Sequence, residues 1–284
     1  MSSEIKTIDL QKKLYSIKAN NPFEDFSYLL AMEQSDSASE KSGWIPDHLG
    51  EIKNKKLISF LPLYKKFNSY GEFIFDHQWA NALTRAGRNY YPKLLTAIPF
   101  TPCEGDRILG KDNQSKFNLI DAGIKKMEAE EIESWHILFP NESGKSVLRE
   151  RNFVERYNYR FTWENENFID FDNFLSIFTS RQRATIRKER KSISKLGIEF
   201  KCKKHNEITN EDWDLFYLFY QKTYFERAQN PYLNKEFFRL INTANQQVKP
   251  VIFFAEIAGE PIGASLCFEG ANTLYGRHWG ATAK

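Results

Sequence analysis

Apolar and polar residues fall into short runs separated by turn-forming residues, and the periods of those runs predict a mixed set of helices and strands. Asn21-Pro22 offers an N-cap followed by proline at the first helical position, predicting a helix to about Met32. Ser35 to Gly43 is a polar loop. His48 to Ile52 and Leu57 to Tyr64 read as strands around the turn Lys53-Asn54-Lys55-Lys56, a hairpin. Gly71 to Phe75 reads as a third strand, and Leu94 to Phe100 as a fourth, ended by Thr101-Pro102. A helix from Asn113 to Glu130, a strand from Ser134 to Phe139 and a short helix from Ser143 to Arg151 follow. Phe153 to Trp163 alternates aromatic and polar residues, as an edge or final strand would.

The second half uses the same grammar. Thr209 and Asp212 form a capping box for a helix whose apolar face carries Trp213, Phe216, Tyr217, Tyr220 and Tyr224. Asn234 caps a further helix to about Asn245. Val251 to Ile257, Ile262 to Phe268 and Thr273 to Trp279 then read as three consecutive strands. At a constant offset of 205 residues Glu51-Ile52 meets Glu256-Ile257, Leu61 meets Leu266, and Tyr70-Gly71 meets Tyr275-Gly276. The expectation is two copies of one α/β unit, residues 1–165 and 166–284. After Gly71 the first copy continues to about Asn165, whereas only eight residues follow Gly276. The second unit is therefore expected to be incomplete at its C-terminus.

Composition narrows this little. Lys+Arg of 40 against Asp+Glu of 37 leaves a net charge of +3, so any nucleic-acid or membrane signal must be local. The three cysteines are scattered and the five histidines equally so, which argues against a disulfide framework and a metal cluster. The N-terminus lacks the apolar core of a signal peptide, and no stretch approaches eighteen uncharged apolar residues. A cytoplasmic protein without a membrane span is expected.

The densest candidate chemistry lies between Tyr70 and Pro102. Asp76-His77 follows an expected strand, where side chains emerge at a sheet end, and either residue can take the proton from an amine under acylation. The other reading has Asp76 bonding a turn while His77 packs on Trp79. Tyr90, Tyr91 and Lys93 line an acceptor pocket in one reading, with Lys93 facing an anionic group; in the other they are core and solvent. Proline on either side of Phe100 and Thr101 interrupts ladder pairing and splays that strand. Ser180 to Lys195 holds seven basic residues and one acid. On a helix Arg183, Arg187 and Arg190 share a face suited to phosphate, or form an ordinary solvated stripe. In the second unit Tyr275, Arg277 and Trp279 occupy the matching strand, with Arg277 able to hold an anion and Trp279 to stack on it. There is no Walker loop, no G-x-G-x-x-G after a strand, no G-x-S-x-G elbow and no HExxH.

Five segments together carry a resemblance: NPF at Asn21 to Phe23, SGW at Ser42 to Trp44, YGEFIFDHQWA at Tyr70 to Ala80, YYPKLLTAIPFTP at Tyr90 to Pro102, and LYGRHWG at Leu274 to Gly280. The chain resembles the FemAB-like branch of the GNAT-type acyltransferases, a family labelled peptidoglycan biosynthesis or recognition. The resemblance implies tandem GNAT-like domains, each a mixed central sheet flanked by helices. It implies transfer of an acyl or aminoacyl group to an amine of a phosphate-bearing or cell-envelope-related acceptor. It places an acyl donor beside a splayed strand end and the basic helix beside an interdomain cleft. The pyrophosphate loop of GNAT enzymes is not present in clear form, so the donor stays open between acyl-CoA and aminoacyl-tRNA. Relatives continue past the LYGR-x-WG strand and carry a larger aromatic at position 278. Those departures keep two alternatives in view: a non-catalytic module binding a phosphorylated ligand or RNA, and an inactive truncated remnant.

Overall fold

The computed structural model describes residues 4–10, 19, 21–74, 76–243 and 248–282. The fold is mixed α/β. In chain order the strands and helices are β1 (Glu4–Thr7), α1 (Phe26–Gln34), β2 (Trp44–Pro46), β3 (Leu49–Lys53), β4 (Lys56–Leu61), β5 (Tyr64–Lys66), α2 (His77–Arg85), β6 (Lys93–Thr96), β7 (Leu109–Gly110), α3 (Asn113–Ala129), β8 (Trp135–Ile137) and α4 (Glu142–Arg149). The second half adds α5 (Phe171–Ser176), α6 (Ser180–Lys195), β9 (Ile198–Lys204), α7 (Asn210–Phe225), α8 (Lys235–Asn242), β10 (Lys249–Ile257), β11 (Glu260–Glu269) and β12 (Leu274–Ala281). They form three four-stranded sheets, ordered β1-β3-β4-β7, β2-β5-β6-β8 and β12-β11-β10-β9. The described strand pairings are antiparallel except β6 with β8, and an isolated bridge between Gly105 and Pro140 is also parallel.

Helix starts follow their side-chain caps. Asp112 accepts from the Ser115 N–H, Thr209 and Asp212 form the expected capping box, and Asn234 accepts from the Phe237 N–H. The first helix starts later than expected. Asn21 Oδ1 accepts from the backbone N–H groups of Phe23 and Glu24, closing a turn, and Asp25 then caps α1. The expected extension of α8 to Asn245 runs into residues outside the described set.

Two expected strands are absent. Gly71 and Phe73 have φ of 79° and 58°, left-handed values that no extended run accommodates, so Gly71 to Ile74 is a folded loop. Residues 153–168 have no regular structure and find no strand to pair with. Conversely β1 and β9 were not foreseen, although both alternate in sequence, with charge at every second position: Glu4 and Lys6 in β1, and Glu199, Lys201 and Lys203 in β9.

The two hairpins that the offset aligned share a local geometry, in a different register. Both hairpins turn through two residues of positive φ, Asn54-Lys55 and Ala258-Gly259, as two-residue hairpin loops require. Each also carries a register shift just before the turn, between Glu51 and Ile52 and between Ala255 and Glu256. Matched on turn and bulge, Ile52 corresponds to Glu256 and Lys53 to Ile257, one residue short of the offset read from identities. A one-residue slip exchanges faces, so Glu51 and Glu256 are not equivalent positions. Nor are Tyr70-Gly71 and Tyr275-Gly276, which lie in a turn and in β12.

The larger apolar core crosses position 165. Phe23, Tyr28, Phe60, Leu95 and Phe100 from the first half join Trp213, Phe216, Tyr220, Phe238, Ile252 and Leu266 from the second. Tyr28 meets Phe237 and Phe268 edge-on at ring separations of 5.6 and 5.8 Å. A smaller cluster, including Leu61, Leu94, Leu119, Ile120 and Val147, lies under α3.

Candidate functional site

Where the loop after β5 passes β6, a set of charged side chains is fully enclosed. Lys93, at the start of β6, has all three ammonium protons used. Its Nζ donates to Ser69 Oγ at 2.8 Å, to Glu72 Oε2 at 2.8 Å and to Asp76 Oδ2 at 2.5 Å. Lys93, Glu72 and Asp76 are all buried. Asp76 Oδ2 also accepts from Ser69 Oγ at 2.8 Å and from Tyr90 OH at 2.6 Å. With the Tyr90 proton committed to Asp76, the 3.1 Å contact of Tyr90 OH with His136 Nε2 requires the imidazole to donate, which fixes the Nε2–H tautomer. Tyr91 OH completes the set at 2.7 Å from Ser69 Oγ.

Burial and pairing pull these groups apart in acidity. Burial works against ionising Asp76, but the bonds from Lys93, Tyr90 and Ser69 outweigh it and bring the carboxyl down to about 2. Glu72 goes the other way, burial raising it despite Lys93. Burial, reinforced by Lys93, depresses His136 to about 4. Lys66, over the Trp44 ring at 3.9 Å, is pushed down by burial to about 7. Its Nζ donates to the Tyr70 carbonyl at 3.2 Å, and Trp44 Nε1 donates to the same oxygen at 3.1 Å. The cluster therefore clamps the Tyr70 to Phe73 loop from behind.

On its other side that loop contributes Phe73 to a cleft of about 220 Å³ otherwise lined by the second half. Phe73 comes from the loop; Tyr220, Thr223 and Tyr224 from α7; Arg227, Gln229 and Tyr232 from the α7–α8 connection; Arg277, His278 and Trp279 from β12. Tyr232 organises the wall: it stacks on Phe100 at 5.0 Å and packs on Tyr70 at 4.7 Å, Phe73 at 5.9 Å and Tyr224 at 5.4 Å. The β11–β12 register shifts here, with Leu266 opposite His278 and Cys267 opposite Gly276, leaving Arg277 as the extra residue of a bulge. Its Nη2 donates to the Phe100 carbonyl, and its Nε is buried with no partner in the protein. Burial, assisted by the Arg277 charge, holds His278 well below the ordinary histidine range, so its imidazole is neutral. Tyr220 and Tyr224 are both raised by burial and stay protonated.

Residues 4–284 match the profile of the FemAB-like family, described as peptidoglycan biosynthesis/recognition. The chain belongs to the FemAB-like family. No curated protein matches the sequence. Among solved structures it is similar to FemX, at 9% identity and a TM-score of 0.49, over 99% of this chain and 81% of that one. A second likeness is to a ribosomal-protein-alanine N-acetyltransferase from Brucella melitensis biovar Abortus 2308, at 12% identity and a TM-score of 0.31, covering 57% of this chain and 100% of the other.

The candidate residues of this FemAB-like chain separate into groups. Asp76, Tyr90, Tyr91 and Lys93 meet in the enclosed cluster rather than lining an open pocket. Asp76 does not emerge from a strand end, and a carboxylate held near 2 is a poor proton acceptor at neutral pH. His77 opens α2 and is exposed. Trp79 packs on His136 at 5.7 Å and under Arg156 at 5.2 Å. Phe100 backs the cleft through Tyr232, while Thr101 is buried and 3.3 Å from Tyr28 OH. Arg277 and Trp279 line the cleft; Tyr275 packs on Phe23 at 5.2 Å. Arg183, Arg187 and Arg190 lie outside the cleft lining. They bond the Phe178 carbonyl, pair with Asp172 at 2.8 Å and cover the Phe171 ring at 4.0 Å respectively. Tyr232, Phe73 and Arg227 were not singled out as site residues in the sequence, and Tyr224 was read only as part of the apolar face of its helix.

Proposed function

We propose that this protein is a FemAB-like N-acyltransferase, built of tandem GNAT-like units over residues 1–165 and 166–284, that modifies an amine of a cell-envelope precursor in the cleft lined by Phe73 and the second unit. The observation that carries the reading is the bulge at Arg277. It sets a guanidinium with an unsatisfied buried Nε and a neutral imidazole side by side on a cleft walled by aromatic rings. Arg277, with Arg227, would hold an anionic group of the acceptor. Tyr232, Phe73 and Trp279 would hold its less polar body. The acceptor amine, unprotonated, attacks the acyl carbonyl carbon. The new C–N bond forms as the donor's ester or thioester bond breaks, and the amine proton is relayed through the neutral His278 imidazole to the departing oxygen or sulfur. The donor is an activated acyl compound, aminoacyl-tRNA or acyl-CoA.

Incubating the protein with each labelled donor and a panel of amine-bearing muropeptide precursors tests the reading. Transfer is expected from one donor, with His278→Gln lowering kcat at least about 100-fold and leaving KM nearly unchanged. Arg277→Met should raise KM instead. Binding of a precursor without transfer from either donor would replace the enzyme by a recognition module using the same cleft.

A further inference from the structure

Outside the cleft, one surface joins two features that seldom occur together: large apolar side chains held in solvent and a concentration of positive charge. Residues 153–168 run without regular structure and carry Val154, Tyr157, Tyr159, Phe161 and Trp163, with Tyr159 96% and Phe161 99% exposed. Ile169 and Ile177 extend the apolar set. Aromatic contacts tie this segment to the basic helix. Trp163 meets Phe174 of α5 at 5.9 Å, Phe174 meets Phe178 at 5.1 Å, and Arg183 of α6 bonds the Phe178 carbonyl. Segment, α5 and α6 thus form one continuous surface.

Between Arg151 and Lys195 there are ten Lys and Arg against six Asp and Glu, an excess larger than the +3 of the entire chain. Some of that charge is paired: Arg187 with Asp172, Arg151 with Asp121, Arg160 with Glu104. Lys188, Lys191 and Lys195 have no ion-pair partner among the described residues, and their spacing puts them on one face of α6. No part of α6 is buried.

We propose that this surface docks the protein onto an anionic lipid bilayer, the aromatic segment entering the headgroup layer while the lysine face of α6 meets acidic headgroups. An anionic partner is selected by the charge. A bilayer rather than a nucleic acid is selected by the aliphatic members, since Val154, Ile169 and Ile177 have no base-stacking use but bury well among acyl chains. Tyr and Trp are the side chains that settle at the headgroup level, with an apolar body and a polar tip. The attachment is peripheral: among the described residues no helix is long and apolar enough to cross a membrane. The inference does not depend on the transfer reaction, and failure of either leaves the other standing.

Co-sedimentation of the full chain with vesicles tests it. Binding is expected to phosphatidylcholine vesicles containing phosphatidylglycerol, weakly to phosphatidylcholine alone, and with a steep loss in raised salt. The triple change Lys188→Ala, Lys191→Ala, Lys195→Ala should weaken binding about 100-fold, each basic residue near an anionic surface contributing about fivefold. Tyr159→Ser with Phe161→Ser should weaken it about 10-fold on the same vesicles. Because all five positions are exposed, unchanged thermal midpoints would show that folding is intact. Absence of partitioning into anionic vesicles overturns the proposal. So do variants that bind as the parent does, binding to a ribo-oligonucleotide but not to vesicles, or self-association that covers Tyr159 and Phe161.

Discussion

Lys93 shows how much a single enclosed charge decides. Its ammonium faces two buried carboxylates and a hydroxyl, and its removal leaves Glu72 and Asp76 close together with no compensating cation nearer than Lys66. Lys93→Met should therefore cost about 3–5 kcal/mol of stability, the range for stripping one partner from a buried pair. Urea unfolding measures this, and adding Asp76→Asn to the variant should restore part of the loss. A cost below about 1 kcal/mol would mean that water reaches the cluster. The neighbouring His136 gives a pH test. The unfolded chain protonates this imidazole near 6.5, whereas the folded protein resists until about 4. Between those values the unfolded state binds more protons, so stability falls as pH drops from about 6.5 to about 4 and this contribution is constant below. Asp76, ordinarily near 3.8 but held at about 2, adds a second loss at lower pH, as the carboxylate that Lys93 prefers is protonated. In His136→Phe the upper limb should become shallower, the remainder coming from His278, while the lower one stays; urea midpoints across pH 3–7 would show an unchanged upper limb if the imidazole plays no part.

At the scale of elements the Tyr70 to Phe73 loop joins the cluster to the cleft, and Gly71 is its pivot. Gly71 has φ of 79°, and a Cβ there would sit 2.4 Å from the Phe100 ring, the ring on which Tyr232 stacks. Gly71→Ala should destabilise by about 1–3 kcal/mol and loosen the Tyr232 wall. Tyrosine emission and ligand affinity would report the loosening; a variant indistinguishable in both would show that the loop is not the wall's support. The same loop marks the limit of what sequence patterning delivers. Helices with polar caps, such as α3, α7 and α8, were legible because a cap is a local event between residues three apart. The β3–β4 and β10–β11 hairpins were legible because turn residues sit between apolar runs. Gly71 to Phe75 alternates like a strand, yet Gly71 turns with positive φ where the Phe100 ring, some thirty residues away, leaves no room for a Cβ. Lys93 was read as facing either solvent or an anionic group of a substrate, when Glu72 and Asp76 meet it from within the protein. Tyr232 had no local signal, since its partners Tyr70, Phe73, Phe100 and Tyr224 are gathered only by the fold. Arg277 had one, in LYGRHWG, although its role as the bulge residue appears only once Cys267 is paired with Gly276.

For the molecule as a whole, the shared core sets how the halves behave. The position 165 boundary lies in an irregular, exposed segment, where a protease finds Arg156 and Arg160 accessible. Yet Tyr28 and Phe23 of the first half pack directly on Phe237 and Phe268 of the second, and Arg277 reaches across to the Phe100 carbonyl. Burial of that many aromatic side chains is worth far more than one peptide connection. Limited trypsin treatment should therefore cut within 153–168 first and leave the two fragments bound to each other. They should co-elute on size exclusion at the position of the uncut chain and unfold in one urea transition. Phe216→Ala, which opens a cavity in the shared core, should lower that transition by about 3–5 kcal/mol without splitting it. Fragments that separate under native conditions, or two transitions in the variant, would show the halves to be independent units, and the cleft could then not hold Arg277 against Phe100 tightly enough to orient a substrate.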